Sequence, residues 1–195
     1  MNVYESNKLL NEYLLFHYGA DDEILGWEFG PKSALDFAVR TVEMTFDWDR
    51  VAQSSRALDI GCAVGRSSFE LSKRCHEVIG IDFSQAFVDA AEEIRSAGSL
   101  AYDRLEEGNV WTQQTAKLPP GSNPDVVSFE QGDAMNLRSD LGRFDLVHAA
   151  NLLCRLTEPK KFLARLVDLV NPGGQLVLTT PCTWMEDFTP RQNWP

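Results

Sequence analysis

Ala57-Leu58-Asp59-Ile60-Gly61-Cys62-Ala63-Val64-Gly65 decides the fold. Ala57 to Ile60 reads as a short buried strand. The glycines after it let the chain turn tightly and let a ligand approach the backbone. A helix follows from Gly65 to about Arg74, and its first turn offers N–H groups with no partner inside the helix. Such donors suit a carboxylate as well as a phosphate, so the loop alone does not name its ligand.

Downstream, strands and helices alternate. Glu77 to Ile81 is a second strand. Ser84 caps a helix whose Phe87, Ala90, Ala91 and Ile94 share one face, and Gly98 ends it. Val126 to Glu130, Phe144 to Ala149 and Gly174 to Thr180 are further strands. Thr157-Glu158-Pro159 opens a helix with Phe162, Leu163, Leu166, Val167 and Val170 turned inward, and Asn171-Pro172 ends it. The alternation predicts an α/β fold, a mostly parallel sheet with helices on both faces. In such a sheet a ligand sits at the carboxyl ends of the strands, where strand order reverses.

Upstream, Ser6 starts a helix with Leu9, Leu10, Tyr13, Leu14 and His17 on one side. Gly19 is expected to stop it in a left-handed conformation. Gly30-Pro31 is expected to open a second helix, with Leu35, Ala38, Val39, Val42 and Phe46 buried. Residues 1–50 thus form a helical cap over substrate and cofactor, and 56–180 the core. Residues 99–125 read as a long connection, either a lid over the substrate or an insertion. Residues 181–195 are a tail.

The 195 residues suggest one domain, and 44% hydrophobic with 24% charged residues is ordinary globular composition. The net charge of −11 argues against non-specific nucleic-acid binding, which needs cations to displace counterions from phosphates. Cys62, Cys75, Cys154 and Cys182 form no C-x-x-C pair, so no zinc knuckle and no metal site is expected. No apolar run is long enough to cross a bilayer, and the first residues lack the pattern of a signal peptide. A reduced, cytoplasmic setting is the default expectation.

Three features turn the loop toward S-adenosylmethionine. The dinucleotide fingerprint G-x-G-x-x-G fails at Ala63 and Arg66. Asp59 puts a negative charge beside a site that must hold an ammonium and a sulfonium. Asp82 ends the second strand, where an acid can accept from both ribose hydroxyls; this last feature is shared with NAD enzymes.

Leu58 to Gly65, Ile79-Gly80-Ile81-Asp82-Phe83-Ser84, Gln131-Gly132-Asp133-Ala134, Phe144 to Leu153 and Pro172 to Leu178 together resemble class I methyltransferases. That resemblance implies a Rossmann-like three-layer sandwich with S-adenosylmethionine as cofactor. Gly61, Cys62, Ala63 and Gly65 would pass its methionine portion, and Asp82 would hold its ribose. Phe83 would pack on the adenine, and Asp133 with Ala134 would read the adenine edge. Asn151 and Leu152 would lie near the sulfonium. Two more strands follow the fifth in that family, so a sheet lacking them and ending in an open edge is expected. A fragment, strands supplied by a partner and a non-catalytic binder compete to explain this, with the fragment preferred.

A narrower likeness rests on Asn11 to Gly19, Gly61 to Leu71, Asp82 to Phe87, Ala150 to Leu156, and Thr183-Trp184 to Asn193-Trp194. These stretches resemble the methyltransferase domain of ovothiol biosynthesis. The resemblance implies N-methylation of the imidazole ring of mercaptohistidine, a thiolated histidine. It also implies a sulfoxide synthase domain as a partner; a second copy covering the open edge is the other partner expected. Cys182 departs from the pattern, where an aromatic residue is expected. His17 and Tyr18 are candidate bases, with a packed histidine the bland alternative for His17. Arg155 is a candidate for the substrate carboxylate or else a surface salt bridge. Trp184, Met185 and Phe188 are either substrate wall or hydrophobic anchoring. His148 reads as a satisfied core histidine, and Cys62 as merely small.

Overall fold

The computed structural model describes residues 3–195. The helices α1 (Asn7–Tyr18), α2 (Asp21–Ile24) and α3 (Phe37–Glu43) precede strand β1 (Arg56–Ile60). Then come α4 (Arg66–Leu71), β2 (Glu77–Asp82), α5 (Gln85–Ala97), β3 (Ser99–Glu107) and β4 (Val110–Lys117). The chain continues through β5 (Val127–Gln131), β6 (Phe144–Ala150), α6 (Pro159–Leu169) and β7 (Val170–Thr179).

Five strands form one parallel sheet in the order β5-β2-β1-β6-β7. The chain leaves β1 toward β2 and β5, then returns to lay β6 and β7 on the other side. Strand order therefore reverses between β1 and β6, which opens a crevice at their carboxyl ends. Two apolar clusters cover the two faces. One joins Leu14, Val42, Phe69, Phe87 and Ile94; the other joins Leu58, Ile60, Ile81, Phe144, Phe162 and Leu166. Among the described residues β7 is an edge of this sheet.

Local chemistry sets the helix ends. Ser6 Oγ accepts from Leu9 N–H at the start of α1, and Ser84 Oγ accepts from Phe87 N–H at the start of α5. Gly98 ends α5 at φ 78°, in the left-handed region. Gly19 does not follow that expectation: its φ is −66°. Glycine is needed there because a Cβ would stand 2.6 Å from Leu15 O.

Other expectations are corrected. Residues 99–117 are a β-hairpin, not an irregular connection; β3 and β4 pair antiparallel across a turn at Gly108. The hairpin faces solvent along most of its length, with only Tyr102 and Ala116 buried, so it shows no apolar alternation to read. It packs on α1 and α5. The second helix begins at Phe37, because the chain first makes a 3-10 turn at Lys32–Ala34 and then a left-handed residue, Asp36. Val167, expected inward on α6, is 73% exposed. Asn171 and Pro172 lie within β7, which shows a register shift against β6 at this end. The tail is folded back: Thr189 Oγ1 donates to Leu156 O, and Asn193 Nδ2 to Thr157 O. No helix among the described residues is long and apolar enough to cross a membrane.

Gly80 in β2 is a steric requirement. A Cβ there would lie 2.7 Å from Phe129 Cδ1 and 2.9 Å from Ser68 Oγ. Gly80→Ala is expected to cost about 1–3 kcal/mol by overpacking. At roughly 2–4 °C per kcal/mol for a chain of this size, a thermal melt reads the loss directly.

Candidate functional site

The crevice between β1 and β6 holds the glycine loop. Gly61 N–H and Cys62 N–H both donate to Ile81 O, at 2.7 and 3.1 Å, which pins the loop to the end of β2. Gly61, Ala63 and Gly65 take left-handed φ of 76°, 48° and 84°. Left-handed backbone costs a residue with a side chain about 1–2 kcal/mol, so Ala63 must be held in place. Its N–H donates to Asp82 Oδ2 at 2.9 Å.

Asp82 thereby joins two loops. Its other oxygen, Oδ1, accepts from Ser84 N–H at 2.9 Å. An ionised carboxylate has about four acceptor sites, so two protein donors leave room for a diol. Burial pushes its pKa up; the amides of Ser84 and Ala63 offset this only in part, and Asp59 adds repulsion. Beside it the Phe83 ring is 58% exposed at the crevice edge. Asp133 begins a 3-10 turn, with Oδ1 accepting from Met135 N–H, and Ala134 is buried next to it. At the end of β6, Asn151 is left-handed at φ 56°. Leu152 lies over the loop, 3.2 Å from where a Cβ on Gly61 would stand.

Asp59 takes a different place from the one expected. It is buried, and its carboxylate faces protein donors: Ser67 Oγ and Ser68 Oγ at 2.7 Å each, and His148 Nδ1 at 2.8 Å. Burial works against its charge, but His148 and the two hydroxyls outweigh that and hold its carboxyl below the usual range. Asp59 braces the loop from behind. His148 is the satisfied core histidine expected. Cys62 is buried too, and burial pushes its thiol well above the usual range, which leaves it a small neutral side chain.

α1 lies across the loop. Tyr18 Oη donates to Val64 O at 2.8 Å, and burial raises its pKa well above the ordinary value. With its hydroxyl engaged as a donor, Tyr18 ties α1 to the loop. Tyr18→Phe is expected to cost about 1 kcal/mol of stability, the net worth of one hydrogen bond. Turnover at saturating cofactor should persist in that variant, and a melt with a parallel rate measurement separates the two effects. His17, the residue before Tyr18, stacks on Tyr13 one turn back along α1. Its Nδ1 is enclosed without a hydrogen-bond partner, and burial lowers its pKa to about 4. A ring so weakly basic is a poor proton sink.

Residues that sequence reasoning passed over complete the wall. Tyr4 packs on Tyr13, Phe87 and Phe188. Glu5 accepts from Gln85 N–H and Ala86 N–H, capping α5 from a distant part of the chain. No local pattern announces either contact. Among the described residues Arg155 forms no salt bridge. Its Nη1 donates to Cys154 O and Thr183 O, and its guanidinium lies 4.9 Å over the Phe188 ring. It ties the tail to the end of β6, beside the Tyr4 hydroxyl. Phe188 thus joins this wall, whereas Trp184 packs near Trp194. Cys182 is exposed, with φ 54°.

The crevice offers a carboxylate with open acceptor sites, an exposed aromatic face beside it, and a close-approach backbone loop leading to Asn151. That set fits a nucleoside that carries a cationic amino-acid arm.

Comparison with known proteins agrees. The family described as "Methyltransferase domain" matches residues 35–195. The chain is 26% identical over 170 residues to the chloroplastic tocopherol O-methyltransferase of Arabidopsis thaliana, covering 85% of this chain and 42% of that one. It is 25% identical over 174 residues to norajmaline N-methyltransferase of Rauvolfia serpentina, covering 87% and 51%. The chain thus spans about half the length of these curated relatives. Among solved structures, the [4+2]-cyclase SpnF superposes with a TM-score of 0.52 at 23% identity, over 76% of this chain and 46% of that one. The YcgJ protein of Bacillus subtilis gives 0.51 at 19%, over 73% and 47%. These likenesses bear on the fold. With the sheet order, the crevice and the family match in agreement, the chain belongs to the class I methyltransferase domain family, whose cofactor is S-adenosylmethionine.

Proposed function

We propose that this domain transfers a methyl group to a ring nitrogen of a small imidazole substrate, mercaptohistidine, giving ovothiol. The observation that carries this reading is a convergence. The stretches of the narrower likeness lie far apart in the chain, yet they contact one another: Tyr18 on α1 reaches the glycine loop, and Tyr4 packs on Tyr13, Phe87 and Phe188, which lies against Arg155.

When bound, S-adenosylmethionine supplies a methyl group already activated on a sulfonium, so the protein contributes alignment. Gly61, Cys62, Ala63 and Gly65 would present backbone to its methionine arm. Asp82 would accept from the ribose, Phe83 would cover the adenine, and Asp133 with Ala134 would meet its edge. Asn151 and Leu152 would border the transfer point. Asp59 would act from behind the loop rather than on the cofactor.

The acceptor must present nitrogen, since a thiolate is intrinsically the better nucleophile. Arg155 would fix the substrate carboxylate at the mouth of the crevice. His17 stays neutral above about pH 4, where burial holds its pKa, and would serve as packing behind the acceptor with Tyr13. The released proton would go to water, because Tyr18 donates to the loop and His17 is too weak a base.

The relatives methylate oxygen as well as nitrogen by their names, so the acceptor needs a direct test. The protein is incubated with S-adenosylmethionine and mercaptohistidine. A gain of one methyl in a product whose thiol still reacts with a thiol reagent is expected. Methyl on sulfur, or no transfer while a phenolic acceptor is methylated, would overturn the reading.

A further inference from the structure

The face of the sheet that α3 and α4 cover carries a buried polar chain that reaches the loop through α4. Asp59 and His148 are register partners on adjacent strands β1 and β6. Both are almost fully buried, 1% exposed each. His148 Nδ1 donates to Asp59 Oδ1 at 2.8 Å, and Nε2 lies 3.1 Å from Thr41 Oγ1 on α3. Asp59 Oδ2 accepts from Ser67 and Ser68 in the first turn of α4. Gly65, the residue before that turn, ends the loop.

We propose that His148 is a positioning residue for the cofactor: through Asp59 it fixes the first turn of α4, and so the left-handed backbone of the loop from Gly61 to Gly65. Two serines cannot satisfy a buried carboxylate alone, and an unpaired buried charge is costly. Without the imidazole, Asp59 must draw in water or turn from the serines, and either releases the turn. The Nε2 link to Thr41 fastens the ring to α3 but does not bear on the loop. The proposal rests on the loop being the cofactor's seat.

Two variants of similar polarity separate the ring's two ends. In His148→Asn the side-chain amide falls where Nδ1 stood and can still serve Asp59. In His148→Gln it falls nearer Nε2 and serves Thr41 instead. Calorimetry with S-adenosylmethionine is expected to show at least tenfold weaker binding for His148→Gln, and recovery to within threefold of the unaltered protein for His148→Asn. Amide exchange in the ligand-free protein should show the same split, with Val64–Ser67 exchanging at least tenfold faster in the glutamine variant. Equal affinity and equal exchange in both variants would overturn the positioning role while leaving the cofactor reading intact. If the unaltered protein failed to bind the cofactor, the cofactor reading would fall and the proposal with it; the exchange split would then report only the bracing of the loop.

Discussion

Asp82→Ala is expected to weaken S-adenosylmethionine binding by on the order of 100-fold, since two charge-assisted hydrogen bonds at about 1.5 kcal/mol each amount to about 3 kcal/mol. The loss has a second source inside the protein. Ala63 N–H and Ser84 N–H both donate to this carboxylate, so its removal also frees the strained Ala63. Binding should depend on pH in a definite direction. The ionised form accepts from the ribose, and burial has raised the pKa. Affinity is therefore full above that raised pKa and falls as pH drops through it, starting at a higher pH than for an ordinary aspartate. Calorimetric titrations across the acid range check this. Affinity that is flat until the whole domain unfolds would count against it.

Gly65→Ala is expected to be the most damaging single methyl in the loop. At φ 84° a side chain is strained, by about 1–2 kcal/mol. The new Cβ would also stand 2.7 Å from Phe129 Cζ and 3.0 Å from Ala91 Cβ, and such overpacking costs about 1–3 kcal/mol more. A total of about 3 kcal/mol lowers the melting temperature by about 10 °C in a chain of this length. Gly61→Ala is the control. It has a similar φ, but its Cβ would meet only Leu152, at 3.2 Å. Its stability should fall by about 1–2 kcal/mol, the conformational part alone. Equal melting temperatures for the two variants would show that packing at Gly65 does not matter.

Both effects sit in the stretch that was legible from residues alone. The strand, the loop and Asp82 were readable because glycine spacing and strand ends are local signals. The ends of α5 were readable for the same reason, in Ser84 and Gly98. The hairpin from Ser99 to Lys117 was not, since strand patterns become visible through burial and this pair turns almost wholly to water. The start of α3 was displaced by Asp36, whose left-handed conformation leaves no trace in composition.

At the site, legibility divides along the same line. A residue type at a strand end could be assigned a role, but the direction of its side chain could not. Asp59 was placed beside the cofactor and proves to face Ser67, Ser68 and His148, because β1 alternates and its odd side meets α4. Tyr18 is a candidate base by residue type, but its hydroxyl donates to the Val64 carbonyl. Arg155, read as a candidate for the substrate carboxylate or else a surface salt bridge, also ties Thr183 to the end of β6. Tyr4 and Glu5 act on α5 from the far end of the chain, and contacts of that range have no local signature.

The most direct measurement is calorimetric titration of the unaltered protein with S-adenosylmethionine, with Asp82→Ala as its partner. The account predicts saturable one-to-one binding, a rise in melting temperature with cofactor concentration, and loss of both in Asp82→Ala. No heat and no thermal shift at millimolar cofactor, or equal binding by the alanine variant, would contradict it.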